Sequence, residues 1–176
     1  MTLEDFVNTY KVGSSYGYQG RYIGECVSLV KHYVKEVLDI NPKSIGNAKQ
    51  YWLKRNSEPY LYNNFTFGDI PQVGAIFCRT SGTYGHIGIV IDLNPRLRLY
   101  NTIEQNHNGN EVVGRYRYSY NNGFHFLYPK NTSNIGNITT GGQGEDSSDS
   151  EQYPEHDTPS SDDRFDFILY KLLGIL

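Results

Sequence analysis

The sequence predicts an α+β fold, with helices first and an antiparallel sheet afterwards, from three observations. Apolar residues in the first third recur at helical spacing. After Asp69 the chain changes to short runs rich in β-branched and aromatic residues. Those runs are separated by Asn, Gly and Pro turns rather than by helices, which excludes an alternating parallel sheet. A chain of 176 residues can bury one good core and carry an appendage.

Taken in order, "TLEDFVNTY" (2–10) reads as a short helix, with Thr2 as its cap and Asp5 as the reciprocal partner of a capping box. The segment "KVGSSYGYQGRYIG" is a turn-rich loop with glycines at 13, 17, 20 and 24. The clearest helix follows in "ECVSLVKHYVKEVLD", where Val27, Val30, Val34, Val37 and Leu38 share one face. "INPKS" ends it, and "NAKQYWLKR" reads as a second, shorter helix. The runs "GAIFCR", "HIGIVIDL", "RLYNTIEQ", "EVVGRYRYS" and "GFHFLYP" are the expected strands. Residues 1–130 thus form the expected domain. Residues 131–163, made of Gly, Ser, Thr, Asp and Glu, read as a disordered linker. Residues 164–176, "RFDFILYKLLGIL", turn apolar again. They read either as a segment that docks on a partner or as an element that returns to its own domain.

The net charge of −3 hides a split. Residues 1–130 carry 14 Lys/Arg against 10 Asp/Glu, whereas residues 131–176 carry 2 against 9. A mildly basic body suits an anionic partner such as a bacterial wall polymer. It lacks the clustered Lys/Arg of a nucleic-acid binder, so no nucleic-acid partner is expected. Sixteen tyrosines fit either a surface that binds polar polymers or a sheet whose core they cap. The two cysteines, Cys26 and Cys78, are too few for a disulfide scaffold or a zinc site. No apolar run is long enough to span a bilayer. The opening "MTLEDFVNTYKVG" has no signal-peptide pattern, so synthesis in a cytoplasm and exit by a route other than ordinary secretion are expected.

One constellation stands out. Cys26 opens the main helix just after the Gly-rich loop, where backbone N–H groups and the helix dipole favour a thiolate. An imidazole is the usual activator of such a thiol, and His86, at the mouth of a strand, is the best placed of the five histidines. Glu104, at the end of the next strand-like run, can fix the tautomer of that imidazole. Asn106 lies on the same side if the strand continues that far, where it would hold the imidazole or steady an oxyanion. His107 is the alternative base, in a sequence that reads as a turn, and Cys78 reads as structural.

The segments "GECVSLVKHYV", "YGHIGIVI" and "IEQNHNG" resemble the signature segments of the CHAP family, the cysteine/histidine-dependent amidohydrolase/peptidase domains of phage lysins and bacterial wall hydrolases. The resemblance covers roughly residues 3–130. It implies a compact papain-like fold, akin to the NlpC/P60 superfamily, and cleavage of an amide in peptidoglycan. Carried over by position, Cys26 is the nucleophile, His86 the general base, Glu104 the orienter and Asn106 the fourth polar member. "GNAKQYW", with Trp52, is similar to the segment that follows the family's catalytic helix. An NlpC/P60-type site usually offers another histidine as third member, whereas Glu104-x-Asn106 favours the CHAP pattern.

Two departures matter. Several phage members bind calcium through carboxylates before the cysteine, but no Asp or Glu lies between Tyr16 and Gly24, so no cofactor is expected and calcium least of all. Glu25 precedes the cysteine where many members carry Gln, and a carboxylate there raises the thiol pKa unless it points to solvent. The resemblance implies peptidoglycan as partner and action at the bacterial wall, either on release at lysis or from a phage virion. A non-enzymatic reading is a virion component that keeps the fold and docks on a virion or tail protein through the C-terminal tail.

Overall fold

The computed structural model describes residues 1–136. The chain begins with α1 (Leu3–Thr9), set by the expected capping box: Asp5 N–H donates to Thr2 Oγ1 at 3.1 Å and Thr2 N–H to Asp5 Oδ2 at 3.0 Å. Then come α2 (Cys26–Glu36), α3 (Gln50–Leu53) and α4 (Pro59–Asn64). The strands are β1 (Phe65–Gly68), β2 (Ile76–Arg79), β3 (His86–Asn94), β4 (Leu99–Gln105), β5 (Val113–Ser119) and β6 (His125–Pro129). They form one antiparallel sheet in the order β1-β6-β2-β3-β4-β5. The α+β class read from the sequence is the observed one, and the architecture is papain-like.

Two elements escaped the sequence reading. β1 is only four residues long and pairs with β6 near the far end of the domain, so its signal is a long-range contact rather than a local pattern. α4 begins on Pro59, the position where a missing N–H is harmless, and Glu58 caps it by accepting from Tyr60 N–H. The expected helix over "NAKQYWLKR" shrinks to the single turn of α3.

The strand period of two sorts the sheet into two apolar faces. Ile76, Cys78, Ile87, Ile89, Ile103 and Leu127 point toward the helices and pack with Phe6, Leu29, Val30, Tyr33 and Val34. Phe77, Val90, Tyr100 and Phe126 point the other way and are covered by Tyr118, Phe124 and Tyr128. Many of the tyrosines therefore close a core. Tyr33, with its ring buried, anchors α2 by donating to Gly74 O at 2.7 Å.

The first residues of the expected linker belong to this body. Asn131 Nδ2 donates to Leu38 O at 3.2 Å and Asn134 Nδ2 to Val37 O at 2.9 Å, satisfying carbonyls at the end of α2. Leu3 N–H donates to Asn134 O at 2.9 Å, and Ile135 packs against the core so closely that a side chain at Gly74 would meet it at 2.6 Å. The boundary expected at residue 130 thus lies at least six residues later. The rest of the expected linker and the apolar tail lie outside the described residues. A chain ending at Lys130 should be less stable than one ending at Gly136 by roughly 2–4 kcal/mol, the worth of three partly exposed hydrogen bonds and one half-buried isoleucine. A lower urea midpoint for the shorter chain checks this, and equal midpoints would contradict it.

Candidate active site

The site forms where the N-terminus of α2 meets the ends of β3 and β4. His86, the first residue of β3, is 5 % exposed, and Glu104, near the end of β4, is 0 % exposed. The two residues belong to adjacent antiparallel strands, Gly88 being the partner of Glu104. His86 Nε2 lies 2.7 Å from Glu104 Oε2. A carboxylate accepts only, so Nε2 carries the proton and Nδ1 is left with a lone pair. Gly88 permits this approach: a side chain there would meet Phe77 at 2.6 Å and Glu104 Cγ at 3.0 Å.

Burial alone would push Glu104 up. Hydrogen bonds from His107 and then His86, with the charge of both imidazoles, overcome that and hold its carboxyl at about 2. Thr102, two residues earlier on the same strand face, donates its hydroxyl to Glu104 Oε1. His107 Nδ1 reaches the oxygen that His86 uses, at 3.1 Å. His86, Glu104 and His107 also place three ligating atoms within 4.8 Å of one another, a set of two imidazoles and one carboxylate that suits a borderline cation such as zinc and not calcium.

Cys26 is the first residue of α2 and is 8 % exposed. Its thiol sits against the backbone N–H of Ile87, the residue after His86. Ile87 packs with α2, so the thiol lies beside the end of β3 that carries His86. The thiolate expected at the helix start is opposed by its surroundings. Burial, and then the Glu25 carboxylate, push the thiol up to about 11, although backbone N–H groups of Ile87, Val27 and Cys26 pull the other way.

Asn106 stands elsewhere than beside the imidazole. β4 ends at Gln105, and Asn106 takes a left-handed backbone, φ 66°, which turns its side chain out of the strand's alternation. Its Nδ2 donates to Glu25 Oε2 at 3.2 Å, and its Oδ1 accepts from Glu111 N–H at 3.2 Å. It therefore holds the exposed carboxylate that precedes the cysteine.

Gln105 is the polar residue that the sequence reading missed. It is 0 % exposed, accepts from Tyr16 N–H at 2.8 Å, and donates to Tyr16 O at 2.8 Å and Glu25 O at 2.9 Å. It ties β4 to both ends of the loop that delivers Cys26. The available signal was its parity: next to Glu104 on a strand, it has to point toward the helices and find partners there. Cys78 is fully buried, donates to Ala48 O at 3.4 Å and is structural in its surroundings. Trp52 stacks on His125 with centroids 4.1 Å apart.

The antiparallel sheet thus carries a buried imidazole–carboxylate pair, with a cysteine at a helix start beside it. The chain belongs to the CHAP domain family, whose model matches residues 15–106, just over half of its length. Endolysin PlyTW of Staphylococcus phage Twort is 33% identical over 110 residues, which is 58% of this chain and 23% of that protein. Endolysin LysK of Staphylococcus phage K is 32% identical over 93 residues, 51% of this chain and 19% of that protein. The match thus spans about a fifth of the length of these curated relatives. Among solved structures, Ly7917 with the hydrolyzing product of MDP superposes with a TM-score of 0.54 at 22% identity, covering 73% of this chain and 63% of that one. An N-acetylmuramoyl-L-alanine amidase from Staphylococcus aureus gives 0.50 at 18% identity, over 61% of this chain and 31% of that one. At these identities the superpositions establish the shared fold.

The cause of the raised thiol generates a prediction. Glu25→Gln removes the nearby negative charge, so the Cys26 thiol should ionise at lower pH than in the wild type. The absorbance of thiolate near 240 nm, taken as a difference against Cys26→Ala, follows this. An unchanged or higher midpoint would mean that burial alone sets the thiol.

Proposed function

We propose that this chain is a peptidoglycan hydrolase that cleaves an amide bond by thiol acyl transfer, as an N-acetylmuramoyl-L-alanine amidase or a cross-bridge endopeptidase. The observation that carries the reading is the buried His86–Glu104 pair at 2.7 Å, beside a helix-start cysteine in a chain of the CHAP family. The names of the related endolysins support the wall as the place of action, on release at lysis.

In the proposed reaction Cys26 gives its proton to His86 Nδ1 as its sulfur attacks the scissile carbonyl. Glu104 stabilises the imidazolium through Nε2–H. The Cys26 backbone N–H, at a helix start with no side-chain cap, is one donor for the oxyanion. His86 then protonates the leaving amine and the C–N bond breaks, leaving a thioester. A water loses its proton to His86, attacks the thioester and releases the acid, and the thiol recovers its proton. No metal or cofactor enters these steps. Glu104 acts before any proton moves, because its charge is already in place at neutral pH.

Purified protein and Cys26→Ala on Gram-positive cell walls test the reading by loss of turbidity. The variant should lose activity on the order of 10⁴-fold or more while keeping its fold, as a missing nucleophile does. The new amino terminus identifies the bond: alanine released from the glycan marks an amidase, and a cross-bridge residue marks an endopeptidase. Clearing that survives in Cys26→Ala would overturn the thiol mechanism. Failure of both proteins on several walls would favour a virion component that keeps the fold.

A further inference from the structure

Glu104 serves two imidazoles. Its Oε2 takes His86 Nε2–H at 2.7 Å and His107 Nδ1–H at 3.1 Å, while Oε1 takes the Thr102 hydroxyl. We propose that His107 is a positioning residue, whose Nδ1–H fixes the Glu104 carboxylate in the plane that addresses His86. The proposal rests on the thiol-hydrolase reading above and adds a residue to it.

Donors from Thr102 and His86 engage one oxygen each, and they leave the carboxylate plane free to tilt about the line joining them. The terminal torsion of a glutamate is soft, so nothing intrinsic resists that tilt. A third donor, reaching Oε2 from another direction, fixes the plane. Full burial makes that donor matter energetically too, since a carboxylate with no water around it needs protein donors for its lone pairs.

His107 is itself held for the task. Its ring stacks on Tyr116 with centroids 4.0 Å apart and stands edge-on to the His86 ring at 5.7 Å. The Tyr118 hydroxyl lies 3.3 Å from its Nδ1. The backbone that folds it back under Glu104 is strained on both sides: Asn106 and Asn108 are left-handed, with φ 66° and 52°. That turn is pinned by Asn106 N–H to Val112 O at 3.3 Å and by Glu111 N–H to Asn106 Oδ1. His107 therefore acts on the reaction through Glu104, and its Nδ1 is committed there rather than to the thiol.

Of the two imidazoles, only His107 is dispensable to the chemistry.

The test uses the full chain with His107→Asn and His107→Leu, near-isosteres that differ in the N–H donor at the place of Nδ1. His107→Phe is the second donor-free variant and keeps a ring on Tyr116. The expected result for both donor-free variants is a fall in kcat of about 10- to 100-fold with KM nearly unchanged, the usual scale for a lost supporting hydrogen bond at a site. His107→Asn should recover most of the rate. Alkylation of Cys26 by iodoacetamide at neutral pH should slow in the same two variants and recover in His107→Asn. That readout needs no wall substrate, so it tests His107 even if the wild type hydrolyses nothing. Wild-type kcat and alkylation in His107→Leu and His107→Phe would overturn the proposal, as would a rise in KM alone or a His107→Asn variant no better than His107→Leu.

Discussion

The site depends on one constraint: a carboxylate with no solvent contact has to remain charged. Glu104 meets it with donors from three segments, Thr102 on its own strand, His86 on β3 and His107 in the turn beyond β4. Each donor dictates something about the fold. The His86 bond requires β3 and β4 to pair in the register that sets Gly88 opposite Glu104, and a one-residue slip would send the carboxylate to the helix face. Gly88 has no side chain because one would occupy the space of Phe77 and Glu104. The His107 bond requires the left-handed residues that bend the chain back after Gln105. Removing any one partner leaves a buried charge short of donors, which is far more damaging than losing a surface pair.

A second network delivers the thiol. Gln105 points to the opposite face from Glu104 and clasps both Tyr16 and the carbonyl of Glu25. Consecutive residues of one strand thus govern the two halves of the site, Glu104 the imidazole and Gln105 the loop that ends at Cys26. Asn106, next in line, takes hold of the Glu25 side chain. This is an economical way to couple a helix start to a strand end, because any displacement of β4 moves imidazole and thiol together. Ser28 strengthens the thiol side by donating to Tyr22 O at 2.7 Å, tying the first turn of α2 to the same loop.

The parts legible in the sequence were those with local signatures. The Thr2–Asp5 box, the apolar face of α2 and five of the strands follow from periodicity and turn residues. The order of Cys26, His86 and Glu104 was enough to suggest the family. What escaped was non-local or depended on parity. β1 is defined by its pairing with β6, and Asn131, Asn134 and Ile135 look like linker residues until α2 offers carbonyls and Gly74 offers space. Of the two roles expected for Asn106, holding the imidazole assumed a strand that continues past Glu104, but the strand stops one residue short and the side chain reaches Glu25 instead. Thr102 and Gln105 were readable in principle, since alternation fixes their faces once Glu104 is placed.

The thiol sets the demand that the rest of the site answers. Burial and the Glu25 carboxylate both push the Cys26 thiol up. In the proposed reaction its proton moves to His86 as the sulfur attacks. Positive charge then appears on an imidazole that is 5 % exposed, where water cannot stabilise it. Glu104 is the group that can, and it is effective because its negative charge and its orientation are both present beforehand. A carboxylate free to turn, or one that took up a proton, would have to reorganise during the step. The donors gathered around Glu104 are thus the counterpart of the raised thiol.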